Sequence, residues 1–483
     1  MIDNNDQSKT ISLSKKSIIV AIVVVLILVI GAYVLTFVIP TGEYQRDESG
    51  SIVQGTYEEN EDLDGIAWWQ FLLAPIMILS PSVEGSGTVY TIIALLLVIG
   101  AVFNALDDSH ILRYMVESLA HKYRQKKYFL IPILSFAFMF LGSAVGMFEE
   151  LIPLVPVVIL LCYAMGWDAL VGLGISVFAG CLGFAAGVVN PFTVGVSQTL
   201  GGIELFSGIE MRLLAFGIFY VILLAFVFPY AKWIDKHPTK SMVYKEDLAR
   251  KANINFAIDD FKPNPKLNKA LKWFAGWMML IITIAIVAIF WHTLADYVMY
   301  ITIAIYIIAG VGACVLCDLK GKRLLKLMGE GMVSLMPAIA MILVAGGVRY
   351  IVTEGDIMDT ILYMAIDSIS GSSANVAVLL IYAVIFIFEI FIPSGSAKAL
   401  LIMPIIYDIC TIVGVEAQVA VLAFTFADGI SNMILPTNAG LLLILGMTTV
   451  TYPKWFKWSI PMLLVMFAST IGILMLAQNV IYV

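Results

Sequence analysis

Long apolar runs separated by short polar segments are the dominant pattern of this chain. About ten runs of roughly 17–25 residues recur along it, for example at positions 17–40, 88–106, 170–186 and 270–292. A helix of this length crosses the hydrocarbon core of a bilayer. The first run is too long for a signal-peptide core and has no small-residue cleavage site, so we expect it to be a span as well. The pattern predicts an all-α polytopic membrane protein.

Composition supports the same class of protein. Of 483 residues, 61% are hydrophobic and 13% charged, and the mean hydropathy is +0.96. An ordinary soluble domain has about 25% charged residues. No basic patch indicates nucleic-acid binding. Cys314 and Cys317 have a spacing found in metal and redox sites, but no second pair or nearby histidine completes such a site. We expect all five cysteines to be small buried hydrophobic residues.

The basic residues predict the orientation in the cytoplasmic membrane. Lys15 and Lys16 precede the first apolar run, which places the N-terminus in the cytoplasm. The segment 41–86 contains many acids and one basic residue, Arg46, and is expected outside. The segment 232–272 is rich in lysine and arginine and is expected inside. The same alternation predicts an external C-terminus.

The two halves of the chain have matching patterns. The apolar run at 88–106 corresponds to one at 332–350, and the amphipathic stretch at 107–121 to one at 355–369. The first amphipathic stretch is basic and the second acidic, as expected for inverted-topology repeats. The predicted parts are a cytoplasmic N-terminus (1–17), a first membrane repeat (18–231), a cytoplasmic linker (232–269), a linking transmembrane helix (270–292) and a second membrane repeat (293–483).

Polar and glycine-rich segments interrupt the apolar runs at corresponding places in both halves. They lie at 142–150 and 187–195, and at 393–396 and 428–440. Backbone that leaves helical geometry at membrane depth must be buried in protein or line a wet cavity. We therefore predict two re-entrant hairpins and two broken helices around one binding site. Helix N-termini there suit a substrate carboxylate, and freed carbonyl and hydroxyl oxygens suit a hard cation such as Na⁺.

The candidate site residues are the polar, charged and glycine residues at these interruptions. An offset of 248 residues sets Glu150 opposite Lys398, and charged groups at membrane depth are functional candidates by default. The predicted substrate-binding residues are Gly146, Glu149, Glu150, Asn190, Thr193, Ser394, Gly395, Ser396, Lys398, Asn432, Thr437 and Asn438. The predicted ligands of a coupling Na⁺ are Ser143, Asn190, Ser394, Asp428 and Asn432. Glu389 is a further intramembrane acid that suits proton or cation coupling.

Two other functions fit parts of this pattern. Ser394 and Lys398 are four residues apart, and a Ser–Lys pair can act as nucleophile and base in a hydrolase. That function leaves the other interruptions and the duplication unexplained. A channel is the second alternative, but intramembrane acids and paired interruptions favour a gated binding site. We therefore expect a transporter and no enzymatic activity.

The interruptions resemble those of the YfcC/ArcD-like proteins of the ion transporter superfamily. The matching motifs are Gly146-Met-Phe-Glu-Glu150, Asn190-Pro-Phe-Thr-Val-Gly195, Pro393-Ser-Gly-Ser396, Asp428-Gly-Ile-Ser-Asn432 with Leu435-Pro-Thr437, and the opening Val38-Ile-Pro-Thr-Gly-Glu-Tyr44. The likeness covers nearly the whole chain. It implies a scaffold domain and a transport domain in a homodimer, with elevator-like movement of the transport domain.

The resemblance and the charges together predict the substrate class. Some family members exchange arginine and ornithine, and relatives in the superfamily move C4-dicarboxylates or other organic anions with Na⁺ or protons. Lys398 occupies a position where a neutral polar residue is expected in many members. Its ammonium group suits a substrate carboxylate, or it replaces a bound cation. Glu149 and Glu150 suit an ammonium or guanidinium group, so an amino acid is the first expectation. A Na⁺- or H⁺-coupled symporter of small carboxylates is the alternative.

The expected partners follow from this function. They are a small-molecule substrate, membrane lipid and a second copy of the chain, with no nucleic acid. We expect no cofactor beyond a coupling Na⁺ or H⁺.

Overall fold

The fold was analysed in a computed structural model. It describes residues 15–46, 53, 55–60, 65–83, 86–146, 148, 151–252, 261–291, 294 and 297–482. Glu149 and Glu150 lie outside the described residues.

Helices form almost all of the described chain. The first half contains α1 (Lys15–Leu35), strands β1 (Thr41–Glu43) and β2 (Glu58–Asn60), α2 (Trp68–Met77), α3 (Ser86–Asp108), α4 (Ile111–Tyr123), a 3₁₀ helix (Arg124–Phe129), α5 (Leu130–Val145), α6 (Leu154–Ala164), α7 (Ala169–Leu173), a π-helical turn (Gly174–Phe178), α8 (Ala179–Ala186), a second π-helical turn (Pro191–Gly195), α9 (Val196–Leu200) and α10 (Ile209–Lys236).

The linker and second half continue with helices. They are a 3₁₀ turn (Pro238–Lys240), α11 (Tyr244–Lys251), α12 (Pro265–Phe290), α13 (Val298–Leu316), α14 (Gly321–Ser334), α15 (Met336–Glu354), α16 (Met358–Ser370), α17 (Ala374–Phe391), α18 (Gly395–Val413), α19 (Ala417–Asn432), α20 (Ala439–Gly446), α21 (Tyr452–Leu476) and a final π-helical turn (Ala477–Ile481). Helices dominate because a helix pairs its backbone N–H and C=O groups internally. Hydrocarbon offers these groups no hydrogen-bond partner.

The membrane character expected from the hydropathy pattern is confirmed. Within the described ranges, nine helical segments are long and apolar enough to cross a membrane. They are Val89–Asp108, Ile111–Val145, Ala169–Leu200, Ile209–Lys236, Pro265–Ala288, Val298–Leu316, Ala374–Phe391, Gly395–Val413 and Tyr452–Ile481. The apolar window of Ala169–Leu200 is 100% buried and that of Pro265–Ala288 only 18% buried, so the former lies at the centre of the molecule and the latter at its edge.

The two halves meet at this central segment. Helix α8 packs against α5 and α10 of its own half and against α19 of the other half. The contact with α19 is close because a Cβ atom at Gly429 would overlap the backbone of Ala185. Small residues permit such close approach of helices in membranes. This crossing fixes the relative positions of the two polar interruptions.

Two predicted interruptions begin inside helices. The one expected at 142–150 starts within α5, which continues to Val145. The one expected at 428–440 starts within α19, which continues to Asn432, and the non-helical segment is 433–438. Gly429 keeps its place in the buried helix, where it serves the close crossing described above. Pro436 cannot donate a helical hydrogen bond, and it lies at the actual interruption. Asp428 and Asn432 therefore lie one turn apart on a regular helix.

The hairpin formed by β1 and β2 docks on the second half. Strands β1 and β2 form an antiparallel pair with Thr41 opposite Asn60. Asp359 on α16 accepts hydrogen bonds from the backbone N–H of Tyr44, at 3.1 Å, and from the Arg46 guanidinium, at 3.0 Å. The hairpin is thus held to α16 by a charge-assisted contact.

The linker also joins the two halves. Asp247 on α11 is buried and accepts hydrogen bonds from the Tyr163 hydroxyl (2.8 Å), the Ala169 N–H (2.8 Å) and the Thr449 hydroxyl. Nearby, Lys454 donates to Glu246 at 2.7 Å. Because the donors come from α6, α7 and the segment before α21, the contacts of Asp247 tie both halves to the linker. Burial raises the pKa of the Asp247 carboxyl from 3.8 to about 6.

Substitution of Gly429 tests the crossing of the halves. Gly429→Val should abolish or strongly lower thermal stability in detergent, because the added side chain would overlap the backbone of Ala185. The matched control is Gly217→Ala on α10, which has open space around its Cβ position and should be neutral or stabilising. Equal melting temperatures for Gly429→Val and wild type would contradict this packing.

The linker contact predicts a pH dependence of stability. The folded protein holds the Asp247 proton up to about pH 6, whereas the unfolded chain releases it near pH 3.8. The stabilising contribution of Asp247 should therefore fall as pH rises through this window. The melting temperature of wild type minus that of Asp247→Asn should decrease from pH 4 to pH 6 and then level off. Asp318→Asn, at an exposed ion pair with Lys266, should show no such decrease.

Candidate functional site

Residues from both halves enclose a cavity of about 620 Å³. Its walls come from the interruption after α8, the turn before α18, the end of α19 and the start of α20, with α3 and the start of α13 opposite. The lining residues are Gly87, Thr91, Ile92, Gly146, Phe148, Phe184, Pro191, Phe192, Val196, Val298, Met299, Tyr300, Pro393, Ser394, Gly395, Ser396, Asp428, Asn432 and Asn438. The cavity is thus lined by all four interruptions that the sequence singled out.

Several of the residues proposed from sequence line this cavity. They are Gly146, Ser394, Gly395, Ser396, Asn432 and Asn438, together with Asp428 from the proposed cation ligands. Asn190, Thr193 and Thr437 are buried in the same interruptions, behind the lining. Ser143 accepts a hydrogen bond from the Val188 N–H at 3.0 Å and so holds the interruption at 187–195 to α5.

An asparagine is the N-cap of the helical segment that follows each of two interruptions, the one after α8 and the one after α19. The Asn190 side chain accepts hydrogen bonds from the N–H groups of Phe192, at 2.9 Å, and Thr193, at 3.4 Å. The Asn438 side chain accepts one from the Leu441 N–H, at 2.8 Å, and donates one to the Asn432 side chain, at 2.5 Å. Asparagine is a strongly preferred N-cap residue because its side chain pairs N–H groups that the helix leaves free. These caps order the backbone where it borders the cavity.

Gly146 ends α5 beside the first cap. Its φ of +69° is a conformation that favours glycine, and a Cβ atom there would overlap the Asn190 side chain. The glycine therefore allows the end of α5 to approach Asn190 closely.

The N-terminus of α18 carries no side-chain cap. Ser394 is the N-cap residue, but its side chain makes no capping hydrogen bond. The first N–H groups of a helix have no acceptor within the helix and form an anion-binding site. A Cβ atom at Gly395 would lie 3.1 Å from Asp428 Oδ2 and 3.0 Å from the Thr193 side chain. The free helix end thus adjoins the Asp428 carboxylate and the Cγ2 methyl group of Thr193.

Lys398 does not line the cavity. Its side chain is fully buried, contacts Glu389 Oε2 on α17, and donates a hydrogen bond of 2.6 Å to Asp428 Oδ1 on α19. The ammonium also lies 5.2 Å from the centre of the Phe424 ring. Lys398 therefore neutralises acids beside the cavity instead of facing a ligand directly.

Unpaired polar atoms cluster at the interruptions. Within the part of the chain that the structure describes, Asn190 Nδ2, Thr193 Oγ1, Asp428 Oδ2 and Thr437 Oγ1 are buried without a hydrogen-bond partner. More than about 90% of buried polar groups in proteins are paired. Among these four residues Asp428 lines the cavity, and its Oδ2 atom is an acceptor available to a polar ligand. No group of three or more histidine, cysteine or acidic residues suited to a metal ion occurs among the described residues.

Sequence reasoning missed the wall opposite the interruptions. Thr91 on α3 donates a hydrogen bond of 3.3 Å to the Tyr300 hydroxyl on α13, and both line the cavity. Neither residue is charged, and neither lies in one of the four predicted interruptions. Their proximity depends on the packing of α3 against α13.

Comparison with protein families identifies the class. A family described as DcuC, C4-dicarboxylate anaerobic carrier, matches residues 19–479. The chain belongs to this family. Together with the apolar helices, family membership makes it a multi-pass membrane protein of a transporter family and confirms the likeness to YfcC-like transporters expected from the motifs.

Individual relatives agree with the family. Over 411 residues the chain is 27% identical to the Escherichia coli protein named "Putative basic amino acid antiporter YfcC", covering 82% of this chain and 78% of that protein. It is 26% identical over 386 residues to an uncharacterized protein of Haemophilus influenzae, covering 79% of this chain and 74% of that protein.

Two solved structures align with this chain over nearly its whole length. The Neisseria gonorrhoeae protein MtrF, from a class of antimetabolite efflux pumps, is 15% identical, with a TM-score of 0.43 and 95% of each chain covered. The Alcanivorax borkumensis YdaH transporter is 14% identical, with a TM-score of 0.44, covering 95% of this chain and 98% of that one.

Substitution of a capping asparagine distinguishes a role in transport from a role in helix stability alone. Asn438→Ala should lower the free energy of unfolding by about 1 kcal/mol, and should also impair transport because Asn438 lines the cavity. Asn264→Ala removes an equivalent cap from α12, where Asn264 accepts from the Lys266 and Leu267 N–H groups, and should leave transport intact. Counterflow in proteoliposomes measures the difference. Equal transport by the two variants would contradict the assignment of Asn438 to the site.

Proposed function

We propose that this chain is a secondary active transporter of carboxylate-bearing small metabolites across the cytoplasmic membrane, and that its substrates are amino acids in an arginine/ornithine-type exchange. The observation that carries this proposal is the adjacency of Asp428 to the uncapped N-terminus of α18. An α-amino acid has an ammonium and a carboxylate on the same carbon. Asp428 Oδ2 lies 3.1 Å from the position that a Cβ atom would take at Gly395, the first residue of α18, so an acceptor for the ammonium group adjoins a helix end whose N–H groups suit the carboxylate.

The electrostatics of the lining support an ammonium-bearing substrate. Asp428 is the one charged residue among the described lining residues, and its Oδ2 atom has no hydrogen-bond partner. The hydroxyl and amide groups of Ser394, Ser396 and Asn432 complete a polar wall. The relative named as a basic amino acid antiporter agrees with this class of substrate.

C4-dicarboxylate transport is the second candidate, since the family is described by that activity. The N-terminus of α18 suits one carboxylate of such a substrate. Lys398 is paired with Glu389 and Asp428, so it gives little support for the second carboxylate. In this candidate function the acids serve Na⁺ or H⁺ coupling.

Hydrolase chemistry has weaker support. A catalytic lysine that acts as a base must be a neutral amine. Lys398 Nζ contacts Glu389 and donates a hydrogen bond to Asp428, so its contacts are to these two acids and not to the Ser394 hydroxyl. Ser394 and Lys398 are better explained as parts of a binding site.

We further propose inverted repeats, two re-entrant hairpins and elevator-type alternating access in a homodimer. Asn190 and Asn438, which are separated by 248 positions, cap corresponding interruptions. Helices α8 and α19 pack at the centre, whereas α12, α13 and α14 pack around α3 or against one another. The central group would be the moving body and the second group the scaffold. The N-terminus would be cytoplasmic and the C-terminus external, which fusions to topology reporters would test.

Exchange assays test the substrate. Proteoliposomes loaded with ornithine should take up labelled arginine by counterflow, and those loaded with succinate should not take up labelled succinate. Asp428→Asn should weaken arginine binding by about 10- to 100-fold, because it removes the ionised partner of the ammonium group. The exposed Asp318→Asn should match wild type. Succinate exchange without arginine exchange would refute the amino-acid assignment and support the second candidate.

A further inference from the structure

A buried arginine lies behind the interruption that follows α8. Arg212 is in the first turn of α10, a membrane-spanning helix, and its side chain is 0% exposed. A long cationic side chain near the end of such a helix ordinarily extends to the water interface. Arg212 is turned into the protein instead. Since arginine is rarely buried without partners, the groups that it contacts explain its position.

The guanidinium group binds main-chain oxygen atoms. Nε donates a hydrogen bond of 3.1 Å to the Val188 carbonyl, and Nη2 donates one of 2.7 Å to the Phe206 carbonyl. Nη1 is buried and has no partner within the described part of the chain. Arg212 is not among the residues that line the 620 Å³ cavity. It therefore acts on the backbone behind the cavity and does not face a ligand.

The first of these carbonyls belongs to the link between α8 and the cap that follows it. Val188 lies two residues before Asn190, the N-cap of the π-helical turn whose first residues line the cavity. The Val188 N–H donates to Ser143 Oγ on α5 at 3.0 Å, and the Val188 carbonyl accepts from Arg212 on α10. This link is thus held from two sides, by α5 and by α10.

The second carbonyl belongs to the loop that follows α9. Phe206 has a φ of +59°, which residues other than glycine seldom adopt. Such a conformation persists where the surrounding contacts determine it. The Phe206 N–H donates to Gln198 Oε1 on α9 at 2.6 Å, and its carbonyl accepts from Arg212. Arg212 therefore joins the backbone before the cap to the loop after α9, across the interruption.

The end of α8 also suits a positive charge. The helix ends at Ala186, and the C-terminal end of a helix carries a partial negative charge. In transporters with broken helices, such ends and the freed carbonyl oxygens attract cations. A guanidinium group presents several N–H donors in a rigid plane, so it can bind two carbonyls at once, whereas an ammonium group is a compact point charge. Arg212 supplies this cation as part of the protein.

We propose that Arg212 is a positioning residue of the transport site, and that its guanidinium group fixes the interruption after α8 in the conformation that binds substrate. The inference rests on the proposed function because it requires a substrate in the 620 Å³ cavity. Without the two hydrogen bonds, the Asn190 cap and the turn after it adopt other positions, and a smaller fraction of the protein is ready to bind. Apparent affinity falls in proportion to that fraction.

Substrate affinity of the folded protein tests this role. Ornithine is the chosen probe because it has no guanidinium group of its own. Arg212→Ala should weaken ornithine binding by about tenfold, which corresponds to a binding-competent fraction of about one tenth. Guanidinium chloride should restore most of the affinity, because the free ion can donate to the same two carbonyls. NaCl at equal concentration should not restore it.

Arg250→Ala is the matched control. Arg250 Nη1 also donates to a main-chain oxygen, that of Met447 at 3.1 Å, but Arg250 belongs to the linker and does not line the cavity. This variant should have a lower melting temperature, wild-type ornithine affinity and no response to guanidinium. A lower melting temperature with unchanged affinity in Arg212→Ala as well would overturn the proposal, because Arg212 would then stabilise the fold alone. Equal recovery with NaCl would also overturn it.

Hydrogen–deuterium exchange tests the positioning without substrate. Arg212→Ala should speed amide exchange in peptides that cover 187–195, and guanidinium chloride should slow it again, whereas Arg250→Ala should match wild type there. If ornithine and arginine do not bind to wild type but exchange responds in this way, the substrate class is wrong and the positioning role stands. Unchanged exchange at 187–195 would refute the positioning role for any substrate.

A conservative variant keeps the test valid if Arg212→Ala does not fold. Arg212→Lys retains the positive charge but replaces the planar donor group by a single ammonium group. Its ornithine affinity and its exchange at 187–195 should lie between those of wild type and a variant without the charge. Wild-type values of both quantities in Arg212→Lys would overturn the role assigned to the guanidinium group.

Discussion

Hydrocarbon offers no hydrogen-bond partner, so each polar group at membrane depth needs one within the protein or within a ligand. In this transporter the constraint is met along the long helices by their own backbone hydrogen bonds. It is met at the interruptions by Asn190 and Asn438, whose side chains pair the first N–H groups of the following helical turns. The N-terminus of α18 and Asp428 Oδ2 are left without such partners beside one cavity. The proposed transport function follows from these open positions.

The packing of the core brings these positions together. The close approach of α8 and α19 at Gly429 places the interruption after α8 near the end of α19. Asp247 connects the same two halves at the linker through hydrogen bonds to both. A transporter must move parts of its structure relative to others without exposing unpaired groups to lipid. Helices α8 and α19 pack closely at small residues in the centre, and α3, α12 and α13 form a separate group of helices. Two such groups suit relative movement of this kind.

Much of this organisation is readable from the sequence because membrane helices have strong periodicity and length constraints. The apolar run predicted at 88–106 lies within α3, and the interruptions at Asn190 and Ser394 lie at helix boundaries of the structure. Local sequence placed the start of the interruption at 428–440 too early, because Gly429 indicates a break by composition but serves helix packing in the fold. The role of Lys398 also depended on tertiary structure, since Glu389 and Asp428 lie on two other helices. Thr91 and Tyr300 are uncharged and lie outside the predicted interruptions, so sequence alone did not mark them.

The central claim is that a zwitterionic substrate lies between Asp428 and the N-terminus of α18. An electron cryo-microscopy structure of the protein in lipid nanodiscs with saturating arginine tests it most directly. The account predicts ligand density in the 620 Å³ cavity, with the ammonium group beside Asp428 Oδ2 and the carboxylate at the N–H groups of Gly395 and Ser396. Ligand density confined to the separate cavity near Arg46 and Arg349, with the Asp428 cavity unchanged, would contradict it.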